Sequence, residues 1–88
     1  MFNEEYTNEE RLDLFMKVIG RIKEGTKITF TPDNVARNDR FLIFSAYKSC
    51  TVTFHKNRVP FWVEFDNDEP MRLEDCPTSF FESILKNL

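Results

Sequence analysis

Cysteine, glycine and histidine are scarce in this chain, and it has no long hydrophobic run. The 88 residues include two cysteines, two glycines and one histidine. A glycine-rich phosphate loop and a zinc motif of paired cysteines and histidines both need more of these residues. The longest apolar run, Phe41-Leu42-Ile43-Phe44, is far shorter than the ~20 residues of a membrane helix. The sequence therefore predicts a soluble protein with no membrane partner.

The few cysteines also bear on the compartment. Cys50 and Cys76 are too few for the disulfide framework of a small secreted domain. The first ten residues, MFNEEYTNEE, are acidic and lack the apolar stretch of a signal peptide. We expect a reducing, cytoplasmic environment.

Phenylalanine is abundant instead. Ten of the 88 residues are phenylalanine, and 41% of the chain is apolar against 31% charged. This composition is typical of a globular chain, and each buried ring removes ~150 Å² or more from water. The length predicts a single domain over residues 1–88 with a small, phenylalanine-rich core.

Two segments have the spacing of amphipathic helices. The first follows a capping box, in which Thr7 caps the helix and Glu10 reaches back, and it is expected to stop at Gly25. Its apolar stripe contains Leu12, Leu14, Phe15, Met16, Val18, Ile19 and Ile22. The second is capped by Asp75 or Cys76, with Pro77 in its first turn. Its stripe contains Phe80, Phe81, Ile84, Leu85 and Leu88.

Between them lie segments with the alternation of β-strands. Residues 27–31 alternate polar and apolar side chains, and residues 71–73 resemble a short last strand. Residues 40–48 are apolar on both parities, which predicts a central strand that is covered on both faces. A tight turn at Lys48 and Ser49 would place Ile43 opposite Phe54.

Residues 50–65 read as a β-hairpin. An even number of residues in its turn keeps the apolar side chains on one face, whereas an odd number mixes the faces. The predicted pairs are Phe54 with Val59, Val52 with Phe61, and Cys50 with Val63. The fold class is therefore α+β, with an N-terminal helix, a three- to four-stranded mostly antiparallel meander sheet and a C-terminal helix. Both helices are expected on one face of the sheet.

The opposite face of this sheet is the candidate contact surface. Exposed apolar patches that carry tryptophan often mark interfaces. The alternatives stay open: Trp62 is part of such a surface, or Met1, Phe2 and Tyr6 fold back to cover this face, or Trp62 is a half-buried edge residue. The candidate partner-binding residues are Leu42, Phe44, Thr51, Thr53, His55, Lys56, Arg58 and Trp62.

No catalytic, cofactor-binding or metal-binding residue is predicted. Cys50 and His55 are five positions apart on one strand, so they point to opposite faces and cannot form a nucleophile pair. The acidic run at residues 66–69 lacks the glycine and the later glutamate of a calcium loop. We therefore expect a non-enzymatic protein.

Two classes of binding function remain. The first is a small protein–protein interaction module, an adaptor or inhibitor that acts through the open sheet face or edge around Trp62, or that forms a homodimer there. Small acidic chains of this kind occur among phage and mobile-element effectors, although no motif supports that origin.

The alternative class is a nucleic-acid-binding domain. Residues 26–60 contain six basic and two acidic residues beside Tyr47 and Trp62, a combination that sheet faces use to stack bases. Residues 61–88 contain seven acidic and two basic residues, and the sequence pI is 5.1, which argues against it. The acidic stretch also allows the reverse, a mimic of nucleic-acid phosphates. Its carboxylates are Glu64, Asp66, Asp68, Glu69, Glu74 and Asp75.

Overall fold

The computed structural model describes residues 6–36, 41, 49–66 and 68–88. Two α-helices lie at the ends of the described chain, and four strands and a 3₁₀ turn lie between them. In chain order the elements are α1 (Asn8–Arg21), β1 (Lys27–Phe30), β2 (Cys50–His55), β3 (Trp62–Phe65), β4 (Met71–Arg72), the 3₁₀ turn (Leu73–Asp75) and α2 (Thr78–Lys86).

The strands form an antiparallel meander in the order β1-β2-β3-β4. On β2, Val52 lies between Ile28 of β1 and Phe65 of β3, and Thr53 lies between Lys27 and Glu64. Successive residues of β2 alternate between buried and partly exposed. The sheet therefore has an apolar inner face and a polar outer face.

Both helices pack on the inner face. Val18 and Ile22 come from α1 and its C-cap, and Phe80, Phe81 and Ile84 come from α2; all five are at most 2% exposed. The side chains of the inner sheet face join them in one cluster: Ile28, Phe30, Cys50, Val52, Phe54, Val63 and Phe65. The predicted α+β fold, with its antiparallel meander between two helices, is confirmed.

Aromatic rings occupy the centre of this core. The ring centroid of Phe80 lies 5.5 Å from that of Phe30, 5.0 Å from that of Phe41 and 6.0 Å from that of Phe65. These tilted pairs are the arrangement that the ring quadrupoles favour. The last helix is thus joined to strands from both halves of the chain.

The predicted hairpin register is wrong by four residues. Phe54 faces Val63 rather than Val59, and His55 faces Trp62. Residues 56–61 form the loop, where Val59 is 86% exposed and the Val59–Pro60 peptide bond is cis. The number of loop residues is even, as predicted, but it is six, whereas the predicted pairing of Phe54 with Val59 leaves at most four. Because the shift is even, Val52, Phe54 and Val63 keep the predicted face.

The predicted pairing of Ile43 with Phe54 involves a residue outside the described part of the chain, and the structure shows other partners for Phe54. Phe54 exchanges backbone hydrogen bonds with Gly25 and Thr26 on one side and pairs with Val63 on the other, so both of its edges are occupied. The long sequence separation of β1 and β2 hid this partnership. Of the predicted strand over residues 40–48, only Phe41 is within the described residues.

The ends of three elements differ from the sequence expectation. Helix α1 ends at Arg21 with Ile22 as its C-cap, before Gly25. Strand β4 covers only Met71–Arg72, because Leu73 begins the 3₁₀ turn. Helix α2 begins at Thr78 after Pro77, rather than after Asp75 or Cys76.

The buried side of α1 also differs from the predicted stripe. Leu12 and Met16 are 60% and 55% exposed, whereas Val18 is fully buried. The capping box at its start is confirmed, because Thr7 Oγ1 accepts from Glu10 N and Glu10 Oε1 accepts from Thr7 N. Within the described residues, neither helix combines the length and the apolar character that crossing a membrane requires.

Candidate functional site

The outer face of the sheet carries three cross-strand rows of side chains. Lys27, Thr53 and Glu64 form one row, and His55, Trp62 and Arg72 form another. The third row is the pair Thr29 and Thr51, whose hydroxyl oxygens are 3.0 Å apart. Since both described helices lie on the inner face, these side chains form the candidate surface.

Trp62 is the largest exposed side chain on this face, with 42% of its surface accessible. It begins β3 opposite His55 and Arg72. A depression of about 240 Å³ lies beside it. We call this the Trp62 depression, which is lined by Glu24, His55, Asn57, Arg58, Pro60 and Trp62.

His55 is held between two carboxylates in the wall of the depression. Its Nδ1 lies 3.2 Å from Glu24 Oε2, and its Nε2 lies 2.9 Å from Glu64 Oε1. A neutral imidazole has one N–H donor, whereas the imidazolium has two, so only the charged ring can donate to both. The hydrogen bonds to Glu64 and Glu24 raise the pKa of His55 above its ordinary value.

Glu24 ties the hairpin loop to the turn after α1. Its Oε1 accepts hydrogen bonds from the backbone amides of Lys56 and Asn57, the second at 2.8 Å. These amides and His55 hold the pKa of Glu24 below its ordinary value, against the opposing effect of desolvation. Gly25 follows with a φ of 79°, which lets the chain turn directly into β1.

Arg58 is the charged residue of the depression that remains available. Among the described residues, none forms a hydrogen bond or an ion pair with its guanidinium, which is exposed on the loop beside Val59 and Pro60. The carboxylates of Glu24 and Glu64 each contact one ring nitrogen of His55. The loop therefore presents a guanidinium next to apolar surface.

The structure places four of the predicted binding residues on this outer face: Thr51, Thr53, His55 and Trp62. Arg58 is next to them in the loop. Lys56 points the other way, because its Nζ donates to the carbonyls of Ile19 and Ile22 at the end of α1. Leu42 and Phe44 lie outside the described residues.

Sequence reasoning missed Glu24 and Pro60 as parts of the site. Glu24 belongs to a different segment from the hairpin, and only the pairing of β1 with β2 brings it to His55. The signal in the sequence was the Glu24-Gly25 turn, which joins a helix to a strand. The predicted pairs of Phe54 with Val59 and Val52 with Phe61 put Pro60 within a strand, whereas in the structure Pro60 belongs to the loop and lines the depression beside Trp62.

Cys50 has the surroundings of a structural thiol. It is 7% exposed on the inner face, opposite to His55. Burial and the neighbouring Asp66 raise the pKa of Cys50 to about 11, so the thiol is protonated near neutral pH. Within the described residues, no three side chains of the metal-ligating types converge on one point.

No protein-family model, curated protein or solved structure matches this chain.

Proposed function

We propose that this protein is a non-enzymatic, cytoplasmic protein–protein interaction module, an adaptor or inhibitor that binds its partner through the outer sheet face around Trp62. The observation that carries the proposal is the exposure of Trp62 on a sheet face that bears neither described helix. Tryptophan is strongly enriched among the residues that dominate binding energy at interfaces.

The surroundings of Trp62 support this role. Val59, 86% exposed in the adjoining loop, adds a second large apolar side chain to the same region. Glu24 fixes the start of that loop through two backbone amides, so little ordering is required of it when a partner binds. An apolar anchor on a pre-ordered support is the arrangement that favours affinity.

The charges of this face favour a protein over a nucleic acid. The basic residues Lys27, Arg58 and Arg72 are interspersed with Glu24 and Glu64. Arg72 is already paired with Glu74 at 3.4 Å and with Asp75 at 3.0 Å. A phosphate backbone is bound by several cations along one track. The described face has mixed charge, as most protein interfaces do at their rims.

The test compares two exposed apolar residues on opposite sides of the molecule. A partner is captured from the native source, purified, and titrated by calorimetry against the wild type, Trp62→Ala and Leu12→Ala. We expect Trp62→Ala to weaken binding by about 30-fold, the loss of a typical interface anchor. Leu12→Ala, at a residue 60% exposed on α1, is the matched control and should bind as the wild type does.

Urea unfolding of each variant establishes that it is folded. Unchanged affinity of a folded Trp62→Ala variant for every purified partner would refute the proposal. Sedimentation at low micromolar concentration identifies a second copy of the chain as the partner. In that case Trp62→Ala should yield monomers, and Leu12→Ala should not.

A further inference from the structure

We infer that the partner presents an acidic segment to the Trp62 depression, in which a carboxylate binds Arg58 and an adjacent apolar side chain packs against Trp62. This inference rests on the function proposed above and specifies the chemistry of the partner. The observation behind it is that, among the described residues, the charged groups around the depression contact one another and leave the Arg58 guanidinium without a partner.

The titratable and charged side chains that line the depression are Glu24, His55 and Arg58, and the first two contact each other. Glu24 uses Oε1 for the amides of Lys56 and Asn57 and Oε2 for His55. His55 uses its second nitrogen for Glu64. Within the described chain, Arg58 is the lining charge that no other group engages, so a bound segment has to complement a cation.

The rest of the lining defines the apolar part of the ligand. Trp62 and Pro60 supply the apolar walls, and Val59 lies beside them on the loop. The volume of about 240 Å³ is below the ~300–1,000 Å³ of pockets for drug-sized ligands. A single side chain from a protein segment is therefore a better fit than a complete small molecule.

The same geometry disfavours the other charged partners. A basic segment would approach the Arg58 guanidinium, and each carboxylate oxygen of Glu24 already has a hydrogen-bonding partner. Among the described residues that line the depression, a polyanionic nucleic acid would find one guanidinium without a partner, and the Glu24 carboxylate lies in the same lining. A carboxylate needs only one guanidinium, which it can bind through two parallel hydrogen bonds.

The fluorescence of Trp62 gives a direct test, because it is the single tryptophan of the chain. The probes are the capped peptides acetyl-Gly-Asp-Phe-Asp-Gly-amide, its Asn-Phe-Asn analogue and its Lys-Phe-Lys analogue. We expect the acidic peptide to change the emission at concentrations about tenfold lower than the asparagine peptide, the effect of one charge-assisted contact. The lysine peptide should bind most weakly of the three.

Substitutions of single basic residues test where the carboxylate of the acidic peptide binds. Arg58→Gln should remove the tenfold preference for the acidic peptide and leave the weaker binding of the phenylalanine. Lys27→Gln removes another exposed cation from the outer face, outside the depression, and should keep the preference. Raising the salt concentration should weaken the binding of the acidic peptide more than that of the asparagine peptide, because salt screens the contact between charges.

The outcomes separate this inference from the proposed function. Equal affinities for the acidic and asparagine peptides, or no response to any peptide, would overturn the acidic partner. The function would still be judged by the Trp62→Ala titration of a purified partner. Tighter binding of a short single-stranded thymidine oligonucleotide than of the acidic peptide, lost in Arg58→Gln, would overturn both in favour of a nucleic-acid ligand.

Discussion

His55 Nδ1 lies 3.2 Å from Glu24 Oε2, which joins the end of β2 to the turn between α1 and β1. The other ring nitrogen faces Glu64 on β3. A neutral ring would direct its lone pair at one of the two carboxylates, which repels it. Simultaneous donation from His55 to both carboxylates therefore depends on protonation of the imidazole, whereas the bonds from the Lys56 and Asn57 amides to Glu24 do not.

The first prediction concerns the pKa of this histidine. His55 is the only histidine, so its imidazole proton resonances can be followed by NMR without ambiguity. We expect a pKa above 6.5, because Glu64 and Glu24 stabilise the imidazolium. Glu64→Gln and Glu24→Gln should each lower it. A pKa at or below 6.5 in the wild type would contradict the double contact.

The same contacts determine how stability varies with pH. The folded-state pKa of His55 is raised, so its contribution to the free energy of unfolding is complete below about 6.5 and disappears as the pH rises through the folded value. The pKa of Glu24 is lowered, so its contribution is present above 4.5 and disappears on acidification. Urea unfolding at a series of pH values should show the largest joint contribution of His55 and Glu24 to the free energy of unfolding between pH 4.5 and 6.5. His55→Gln should flatten the upper side of the profile.

The second prediction concerns Lys56, whose ammonium donates to the last carbonyls of α1. A cation at this position complements the negative end of the helix dipole and satisfies carbonyls that lack partners within the helix. Lys56→Met keeps the aliphatic chain and should lower the free energy of unfolding by about 1–2 kcal/mol. Lys27→Met, on the exposed outer face, is the matched control with a change below about 0.5 kcal/mol. Equal effects of the two substitutions would argue against the helix contact.

The third prediction concerns Arg11, which joins α1 to the segment before α2. Its guanidinium donates to Thr78 Oγ1 at 3.0 Å and to the carbonyls of Glu74 and Cys76, and its carbon lies 5.0 Å from the centre of the Phe81 ring. Arg11→Ala should lower the free energy of unfolding by about 2–3 kcal/mol, the loss of several charge-assisted contacts.

The control for Arg11 is Lys17→Ala on the same helix. Lys17 forms an exposed ion pair with Asp13 at 3.0 Å, and its loss should change the free energy of unfolding by less than about 0.5 kcal/mol. Urea unfolding measures both variants. A value for Arg11→Ala as small as that for Lys17→Ala would mean that the two helices are held together by the apolar core alone.

The fourth prediction concerns Cys50. Its pKa of about 11 and its buried position mean that little thiolate is available near neutral pH. In a Cys76→Ala background, alkylation of Cys50 by iodoacetamide at pH 7 should be at least tenfold slower in the folded chain than in concentrated urea. Equal rates would show that the inner face of β2 opens readily. Above pH 9, ionisation of the thiol in the unfolded chain should lower stability.

The alternation of residues in β2 and β3 sufficed to predict which side chains share a face. A displacement of four residues left Val52, Phe54 and Val63 on the inner face, because side-chain direction in a strand repeats every two residues. Alternation alone cannot fix the register, however. The loop also contacts Glu24 at its start and Leu73 at its end, and the alternation within the hairpin does not encode these contacts.

The candidate site was predictable only in part for the same reason. Trp62 and His55 follow from the parity of the hairpin, which is a local property. The His55 contact with Glu24 requires β1 to pair with β2 across residues 31–49, and no local pattern records that pairing. The contact of Lys56 with the end of α1 was not predictable, because its partners are backbone carbonyls, which carry no signature in the sequence.

The packing of α2 has a consequence for synthesis on the ribosome. Phe80, Phe81 and Ile84 are fully buried, and α2 contacts α1 from the far end of the described chain. A nascent chain therefore lacks the centre of its core until α2 has emerged, and the inner sheet face stays exposed to water until then. Folding of this domain is therefore expected to follow the emergence of α2 and to be nearly all-or-none.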